Sequence, residues 1–384
     1  MERAALKIVI AGGGTGGHVQ PAIATLEVLR QRVPVEPLWI GSSGGVEAEA
    51  AARAQIPFRA IPTGKLRRYV SLHTLVDAVR VPLGVLQALR ILRRVRPDVV
   101  FATGGFVSVP TVVAARVLGI PCLSHEQTAT IGLANRINAR FCDVLALAYA
   151  RPAGPRPGWR ARAVVTGNPI RASLLAGSSQ TIAEAFGLDP ALPLVYVTGG
   201  ALGAHAINEA VRLALPRLVS MAQVLHQCGP TAANGDYPRL LEARAALAPE
   251  LQSRYVVVER VGDELPGVYA AATVVVSRAG AGTVAELATL GKPAILIPLP
   301  GTGGDEQTRN ARVLADDGAA TLLPQAELTP DRLVAELQGL LQDPARRAAM
   351  SARARAHGHA AAAERLADAI LSLAGRPVAA PVGQ

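Results

Sequence analysis

Aromatic residues make up only 3% of the 384-residue chain, and of its 39 basic residues only Lys7, Lys65 and Lys292 are lysines. So few aromatic platforms, with no reading-helix motif, argue against a nucleic-acid binder, which stacks bases on rings. The three cysteines, Cys122, Cys142 and Cys228, lie far apart without CxxC or Cys/His spacing. That argues against both a disulfide scaffold and a zinc module. The uncharged stretches nearest to spanning length, 99–115 and 190–208, are broken by glycine, proline or polar residues and read as strand, loop and helix. Residues 6–11 are too short for a signal-peptide core. The expectation is a soluble cytoplasmic protein. No DxD pair is present; Asp316 and Asp317 are adjacent.

What the chain does have is apolar substance: half its residues are hydrophobic and 18% are charged. At roughly 100–200 residues per domain this length predicts two domains. Charge is uneven. Residues 1–165 hold 21 Lys+Arg against 9 Asp+Glu, and residues 166–384 hold 18 against 20. The basic half favours an anionic partner or an anionic membrane face; an Arg-rich composition is the plainer source of the total, but not of the asymmetry.

Short Val/Ile/Leu runs alternate with longer stretches of helical period, the pattern of parallel strands joined by helices. Strands are expected near 7–11, 37–41, 58–61, 98–102, 121–124 and 143–147, then near 194–198, 224–228, 255–258, 273–276, 294–297 and 320–323. Residues 151–160 read as a loop near a domain junction and 375–384 as a frayed tail. The halves echo each other: Gly12, Gly13, Gly16 and His18 match Gly199, Gly200, Gly203 and His205 at a constant offset of 187. Each half opens with strand, glycine loop and helix, so the fold class is α/β with two Rossmann-like domains, expected to face each other across a cleft.

Residues 12–17 satisfy GxGxxG, whose bare backbone lets N–H groups approach a phosphate at a helix start. A dinucleotide fold would also need an acid ending the second strand. None occurs here before Glu47, which weakens a nicotinamide reading. His18 at that helix start is a candidate base, because the positive dipole end favours neutral imidazole; a packing or capping role is equally open. In residues 277–286 (SRAGAGTVAE) the N–H groups of Ala281, Gly282, Thr283 and Val284 form a possible diphosphate cradle. Glu286 either closes a T-x-x-E capping box with Thr283 or accepts two ribose hydroxyls. Asp305, Glu306 and Gln307 in the polar loop 298–310 suit sugar hydroxyls, as a solvated loop also would.

Taken together, 12–22 (GGGTGGHVQPA), 65–69 (KLRRY), 103–110 (TGGFVSVP), 125–128 (HEQT), 132–136 (GLANR), 167–171 (GNPIR), 277–293 (SRAGAGTVAELATLGKP) and 305–311 (DEQTRNA) resemble, in order, the MurG family of UDP-N-acetylglucosamine-dependent glycosyltransferases. The resemblance implies a GT-B fold. Its parts would be an acceptor and membrane-binding domain over 1–163, a UDP-sugar domain over 164–356, a helix near 357–374 packing back on the first domain, and the tail. It implies inverting transfer to the 4-hydroxyl of the muramoyl sugar of lipid I, giving lipid II. No cofactor or metal is implied, UDP-N-acetylglucosamine being a substrate, and nucleic acid is not a partner.

By position, Glu286 would hold the uridine ribose, 281–284 the diphosphate, and Gly262 would present backbone to uracil. Arg171 would reach the donor phosphates, Asn208 would line the cleft, and Glu306 with Gln307 would read the sugar. Gly13, Gly14, Thr15, Gly16, Gly17 and His18 would meet the acceptor diphosphate, with Thr15, Gly16 and Gly17 also near the donor. Two departures stand at donor positions: Thr128 where the family usually has Asn, and Ala201 with Leu202 in place of a hydroxyl and an amide. For the base His18 is preferred, with Glu126 and His125 as rivals. Lys65, Arg67, Arg68 and Tyr69, before an apolar run including Leu83 and Leu86, suit peripheral binding at the inner membrane face; an ordinary core-facing helix is the alternative. Competing readings are another GT-B enzyme, such as a lipid galactosyltransferase or a sugar 2-epimerase, or a two-domain binding protein without chemistry.

Overall fold

The structure is a computed structural model that describes residues 4–14, 16–64, 72–150, 157–302 and 304–378, with side chains in the helix from Leu72 described from Arg80 onward. It divides into two compact units, Met1–Ile170 with His359–Gln384, and Arg171–Gly358.

The first unit carries a parallel sheet of β1 (Leu6–Gly12), β2 (Val35–Gly41), β3 (Phe58–Ala60), β4 (Val99–Gly104), β5 (Cys122–Glu126), β6 (Val144–Leu147) and β7 (Arg162–Val165). Their spatial order is β3-β2-β1-β4-β5-β6-β7. The second unit repeats the plan with β8 (Leu194–Thr198), β9 (Gln223–Gln227), β10 (Tyr255–Val258), β11 (Val274–Ser277), β12 (Ala294–Leu296) and β13 (Thr321–Leu322), ordered β10-β9-β8-β11-β12-β13. Both follow the doubly wound Rossmann order, in which chain direction reverses beside the first strand and ligands bind at the carboxyl ends there. Central strands such as β4 and β11 are buried at every position. This is why they read as unbroken apolar runs rather than alternating ones.

Of the thirteen strands, β7 is the one the sequence did not suggest. Its residues are largely exposed, so it lacks the apolar signal, yet it pairs in parallel with β6. The first unit consequently extends to Ile170 rather than 163, and the second ends at Gly358. The last helix, Ala362–Leu373, buries Leu366, Ala367, Ile370 and Leu371 against Ile8, Ile10 and Val19 of the first unit. Gly167, at φ +87°, makes room for the turn before it: a Cβ there would lie 2.3 Å from His359 Cβ. The expected tail is pinned at its start, since Arg376 donates to the Ala5 carbonyl at 2.9 Å and pairs with Asp98 at 3.4 Å.

Candidate functional site

The glycines after β1 do different jobs. A Cβ at Gly12 would sit 2.1 Å from Thr103 Oγ1, and one at Gly13 2.2 Å from Glu47 Cδ, so packing requires both. At Gly16, which opens the helix Gly16–Arg32, a Cβ would meet nothing within 4 Å among the described residues. The fold does not ask for glycine there, whereas close approach of a ligand to the helix start does. Beneath the loop lies Glu47, fully buried, accepting from Gly14 N–H (3.0 Å), Ser42 N–H (2.9 Å) and the Ser42 hydroxyl (2.6 Å). Burial raises its pKa, but these donors more than reverse that and hold it below the ordinary value. Gly13 and Gly14 therefore face an internal anion, and the Gly14 N–H is already committed. This corrects the place of Gly14 among the diphosphate donors and leaves Gly16 and the exposed Gly17 in the open part of the loop.

His18 stands in the first turn of the same helix. Its Nδ1 lies 2.9 Å from the Thr103 carbonyl and 3.1 Å from Gln127 Oε1. Both are acceptors, so Nδ1 carries a proton, and Nε2 has no partner among the described residues. Gln127 is itself held, donating to Thr103 O (2.6 Å) and to His125 Nδ1 (3.3 Å). His125 is fully buried and donates from Nε2 to Gly167 O at 3.0 Å; burial lowers its pKa to about 4. Glu126, 3% exposed, accepts from Thr128 N–H and hydroxyl, Gly132 N–H and Asn135 Nδ2 at 2.7–3.1 Å. Both rivals of His18 thus have their proton-exchanging atoms engaged in fixing the β5 loop. The Thr128 hydroxyl is spent there too, on Glu126 and the Thr130 carbonyl, rather than turned to a donor.

In the second unit, β11 leads through Ser277–Gly280 into the helix Ala281–Leu290. The capping box does not form. Gly280 is the N-cap, no side chain caps the helix, and Thr283 lies inside it. The first helical bond runs from Val284 N–H to Gly280 O, so the N–H groups of Gly282 and Thr283 have no acceptor among the described residues. A Cβ at Gly282 would meet nothing within 4 Å, leaving this helix start bare like the one at Gly16. Glu286, half-buried on the same helix, accepts from the Tyr269 hydroxyl at 2.8 Å through Oε2. Tyr269 is 2% exposed and packs edge-on against Tyr196, with centroids 5.8 Å apart. Burial raises the Glu286 pKa above the ordinary value; the Tyr269 bond and the charge of Arg171 only partly offset it.

Gln307 Oε1 accepts from Leu299 N–H (2.9 Å) and Ala279 N–H (3.3 Å), fastening the loop after β12 beside this helix start. Its Nε2 has no partner among the described residues. Asp305, N-cap of the helix Glu306–Ala315, sits at φ +56°, a left-handed strain for a residue with a side chain. In the second glycine loop the exposed Ala201 and Leu202 N–H groups have no acceptor among the described residues, so backbone donors stand where side-chain donors are lost.

One expected donor contact is corrected. Asn208 is 1% exposed and donates to Cys228 O and Asp236 Oδ2, both at 2.8 Å, while its Oδ1 lies 3.0 Å from His226 Nε2. Its side chain is committed within the second unit. Gly262 donates its N–H to Glu264 at 3.1 Å and accepts at its carbonyl from Leu265 N–H at 3.3 Å, which leaves the carbonyl's second lone pair for a base.

Thr15, Lys65, Arg67, Arg68 and Tyr69 lie outside the described residues. Of the apolar run that follows, Leu83 and Leu86 are about half exposed, at 49% and 53%. Among the described residues no helix is long and apolar enough to cross a membrane, and no three His, Cys, Asp or Glu side chains form a metal-binding group. Sequence reasoning missed Glu47 as an anchor, Gln127 as the partner of His18, and Tyr269. Gln127 lay within the HEQT segment; a lone Tyr in a short helix carries no local signal.

Residues 8–147 match the glycosyltransferase family 28 N-terminal domain and residues 194–366 its C-terminal domain. The chain is similar to the UDP-N-acetylglucosamine--N-acetylmuramyl-(pentapeptide) pyrophosphoryl-undecaprenol N-acetylglucosamine transferase of Desulforudis audaxviator, at 36% identity over 377 residues, covering 97% of this chain and 99% of the relative. Among solved structures it superposes on Acinetobacter baumannii MurG with a TM-score of 0.72 at 29% identity, covering 96% and 99% of the two chains. The UDP-GlcNAc 2-epimerase from Neisseria meningitidis shares the fold alone, with a TM-score of 0.65 at 13% identity over 96% and 100% of the chains. With two family 28 domains spanning both sheets and a relative matched along nearly its whole length, this chain belongs to the MurG family of glycosyltransferases.

Proposed function

We propose that this protein moves N-acetylglucosamine from UDP-N-acetylglucosamine to the 4-hydroxyl of the muramoyl sugar of a pyrophosphoryl-undecaprenol-linked N-acetylmuramyl-pentapeptide, inverting the anomeric centre. The observation that carries the site assignment is the half-buried Glu286, held by the buried Tyr269, on a helix whose Gly282 and Thr283 N–H groups have no acceptor among the described residues. Glu286 Oε1 accepts from the uridine ribose, the N–H groups of Gly282 and Thr283 take the diphosphate, and Arg171 stabilises the charge growing on departing UDP. Gln307 Nε2, with Glu306, hydrogen-bonds the donor sugar. In the first unit His18 Nε2 removes the proton from the attacking hydroxyl, its ring held by Thr103 O and Gln127, while His125 and Glu126 keep the loop in place.

UDP-N-acetylglucosamine is consumed as a substrate, and this scheme calls for no cofactor. The lipid tail of the acceptor, the basic surplus of the first 165 residues and the exposed Leu83 and Leu86 support peripheral attachment at the cytoplasmic face of the cell membrane. The test is UDP release from UDP-N-acetylglucosamine with and without a short-chain lipid-linked muramoyl acceptor, with UDP-galactose and UDP-glucose as competitors. Acceptor-dependent release specific to the N-acetylglucosamine donor is expected. Conversion of the sugar nucleotide without acceptor would favour an epimerase, and binding without release would remove the transferase reading.

A further inference from the structure

A cavity of about 520 Å³ opens at the carboxyl ends of β2 and β3, lined by Ser42, Ser43, Thr63, Arg80 and Gln87 together with residues 60–62. That volume is within the roughly 300–1,000 Å³ typical of ligand pockets. Its wall is the helix Leu72–Val95, on which Arg80 and Gln87 stand two turns apart on one side, with Gly84 between them on the same side. A Cβ at Gly84 would lie 2.2 Å from the Pro62 carbonyl. The missing side chain therefore lets the helix press against the segment after β3 and brings both polar residues to the rim. Arg80 is exposed and has no acidic partner among the residues whose side chains are described. The one acid that Ser42 touches, Glu47, is fully buried and satisfied by Ser42 and Gly14, so it does not neutralise that charge. The same contacts connect the cavity to the glycine loop. Ser42 lines the cavity and bonds Glu47, and Glu47 bonds Gly14, four residues before His18.

We propose that this cavity receives the peptide arm of the acceptor, with Arg80 pairing a peptide carboxylate and Gln87, Ser43 and Thr63 hydrogen-bonding its amides. The inference rests on the acceptor reading above. A peptide joined through its N-terminus to the lactyl group of a muramoyl sugar ends in a carboxylate, which an exposed guanidinium at a polar rim matches in charge and geometry. With the sugar's 4-hydroxyl at His18, a substituent of that sugar is within a few residues' reach of the cavity.

The test uses the full-length protein in neutral detergent, where no anionic lipid competes for Arg80. Three short-chain lipid-linked muramoyl acceptors are compared: one with a free-carboxylate peptide, one with that peptide ending in an amide, and one without peptide. The readout is the ratio of kcat/KM between the peptidyl and peptide-free acceptors for the parent, Arg80→Ala, Arg80→Lys and Gln87→Ala. Arg80→Ala is expected to lower that ratio about tenfold, through KM rather than kcat, and to abolish any preference for carboxylate over amide; Arg80→Lys restores part of both. A ratio unchanged from the parent, or equal losses on all three acceptors, overturns the proposal. Failure of the parent to release UDP with any acceptor would instead remove the transferase reading on which it rests.

Discussion

Replacing Glu286 by Gln keeps the shape of the side chain and removes its charge, and the structure gives the two consequences opposite signs. In the unliganded protein the carboxylate is half-buried and its pKa is raised, chiefly by desolvation. An acid whose folded pKa lies above its unfolded value contributes stability below the unfolded pKa and loses it as pH rises through the folded one. At neutral pH the charge is therefore a cost to the fold, and Glu286→Gln is expected to leave Tm unchanged or raised, since the amide oxygen can still accept from Tyr269. Nucleotide binding moves the other way. Two ribose hydroxyls donating to a carboxylate are worth about 1.5–3 kcal/mol each, and an amide oxygen retains roughly half. A loss of about 1.5–3 kcal/mol corresponds to a Kd increase of roughly 13- to 150-fold.

Calorimetric titration with UDP and with 2′-deoxy-UDP reads this directly: the parent should discriminate between them more strongly than the variant does. Titration with uridine at falling pH adds a second reading, because the parent's affinity should decline as the carboxylate protonates while that of the variant stays flat. If Glu286→Gln binds UDP within about twofold of the parent and still prefers the 2′-hydroxyl, the ribose assignment is wrong.

His18→Gln is expected to lower turnover by roughly 10²- to 10⁴-fold while UDP affinity holds, as general-base loss requires; a parallel loss of UDP affinity would move His18 to the donor side. Gly282→Ala should raise helix stability by about 0.5–1 kcal/mol and weaken UDP binding, because its methyl group enters open space at the helix start. Gly12→Ala should lower Tm instead, its Cβ falling 2.1 Å from Thr103 Oγ1, and thermal denaturation with UDP titration separates the two. Burial lowers the pKa of His125 to about 4 and of His226 to about 3. Below the unfolded value of about 6.5 the unfolded chain binds protons that the native one refuses, so stability falls with pH by on the order of 3 kcal/mol per histidine by pH 4. Urea denaturation at pH 7, 5.5 and 4.5 checks this, and His226→Gln should flatten the profile; a parent already flat across that range would contradict the burial.

The central strands were legible because a strand buried on both faces needs Val, Ile and Leu at successive positions, a demand visible within five residues. β7 was not, since an edge strand with exposed side chains is defined by its pairing with β6 and by nothing in its own composition. At the site, the glycine-to-helix starts at Gly16 and Gly282 were legible for the same local reason. Which glycines serve the fold was not legible: Gly13 and Gly16 look alike in sequence, and only the position of Glu47 distinguishes them. The capping-box spacing of Thr283 and Glu286 misled, because the chain turns into the helix at Gly280 and carries Thr283 past the cap.

The sequence by itself determined the alternation of strand and helix, the doubled glycine-loop plan and the family, because each is written in neighbouring residues or in the order of short segments. Tertiary structure decided which side chains are at work. Gly14 meets Glu47 across 33 positions, Glu286 meets Tyr269 across 17, and His18 meets Gln127 across 109. In each case the partner is supplied by a different element, and strand order rather than chain order brings the elements together. Whether an Asn, a His or a Glu is spent inside the protein or left open to a ligand depends on that arrangement, as Asn208, His125 and Glu126 show.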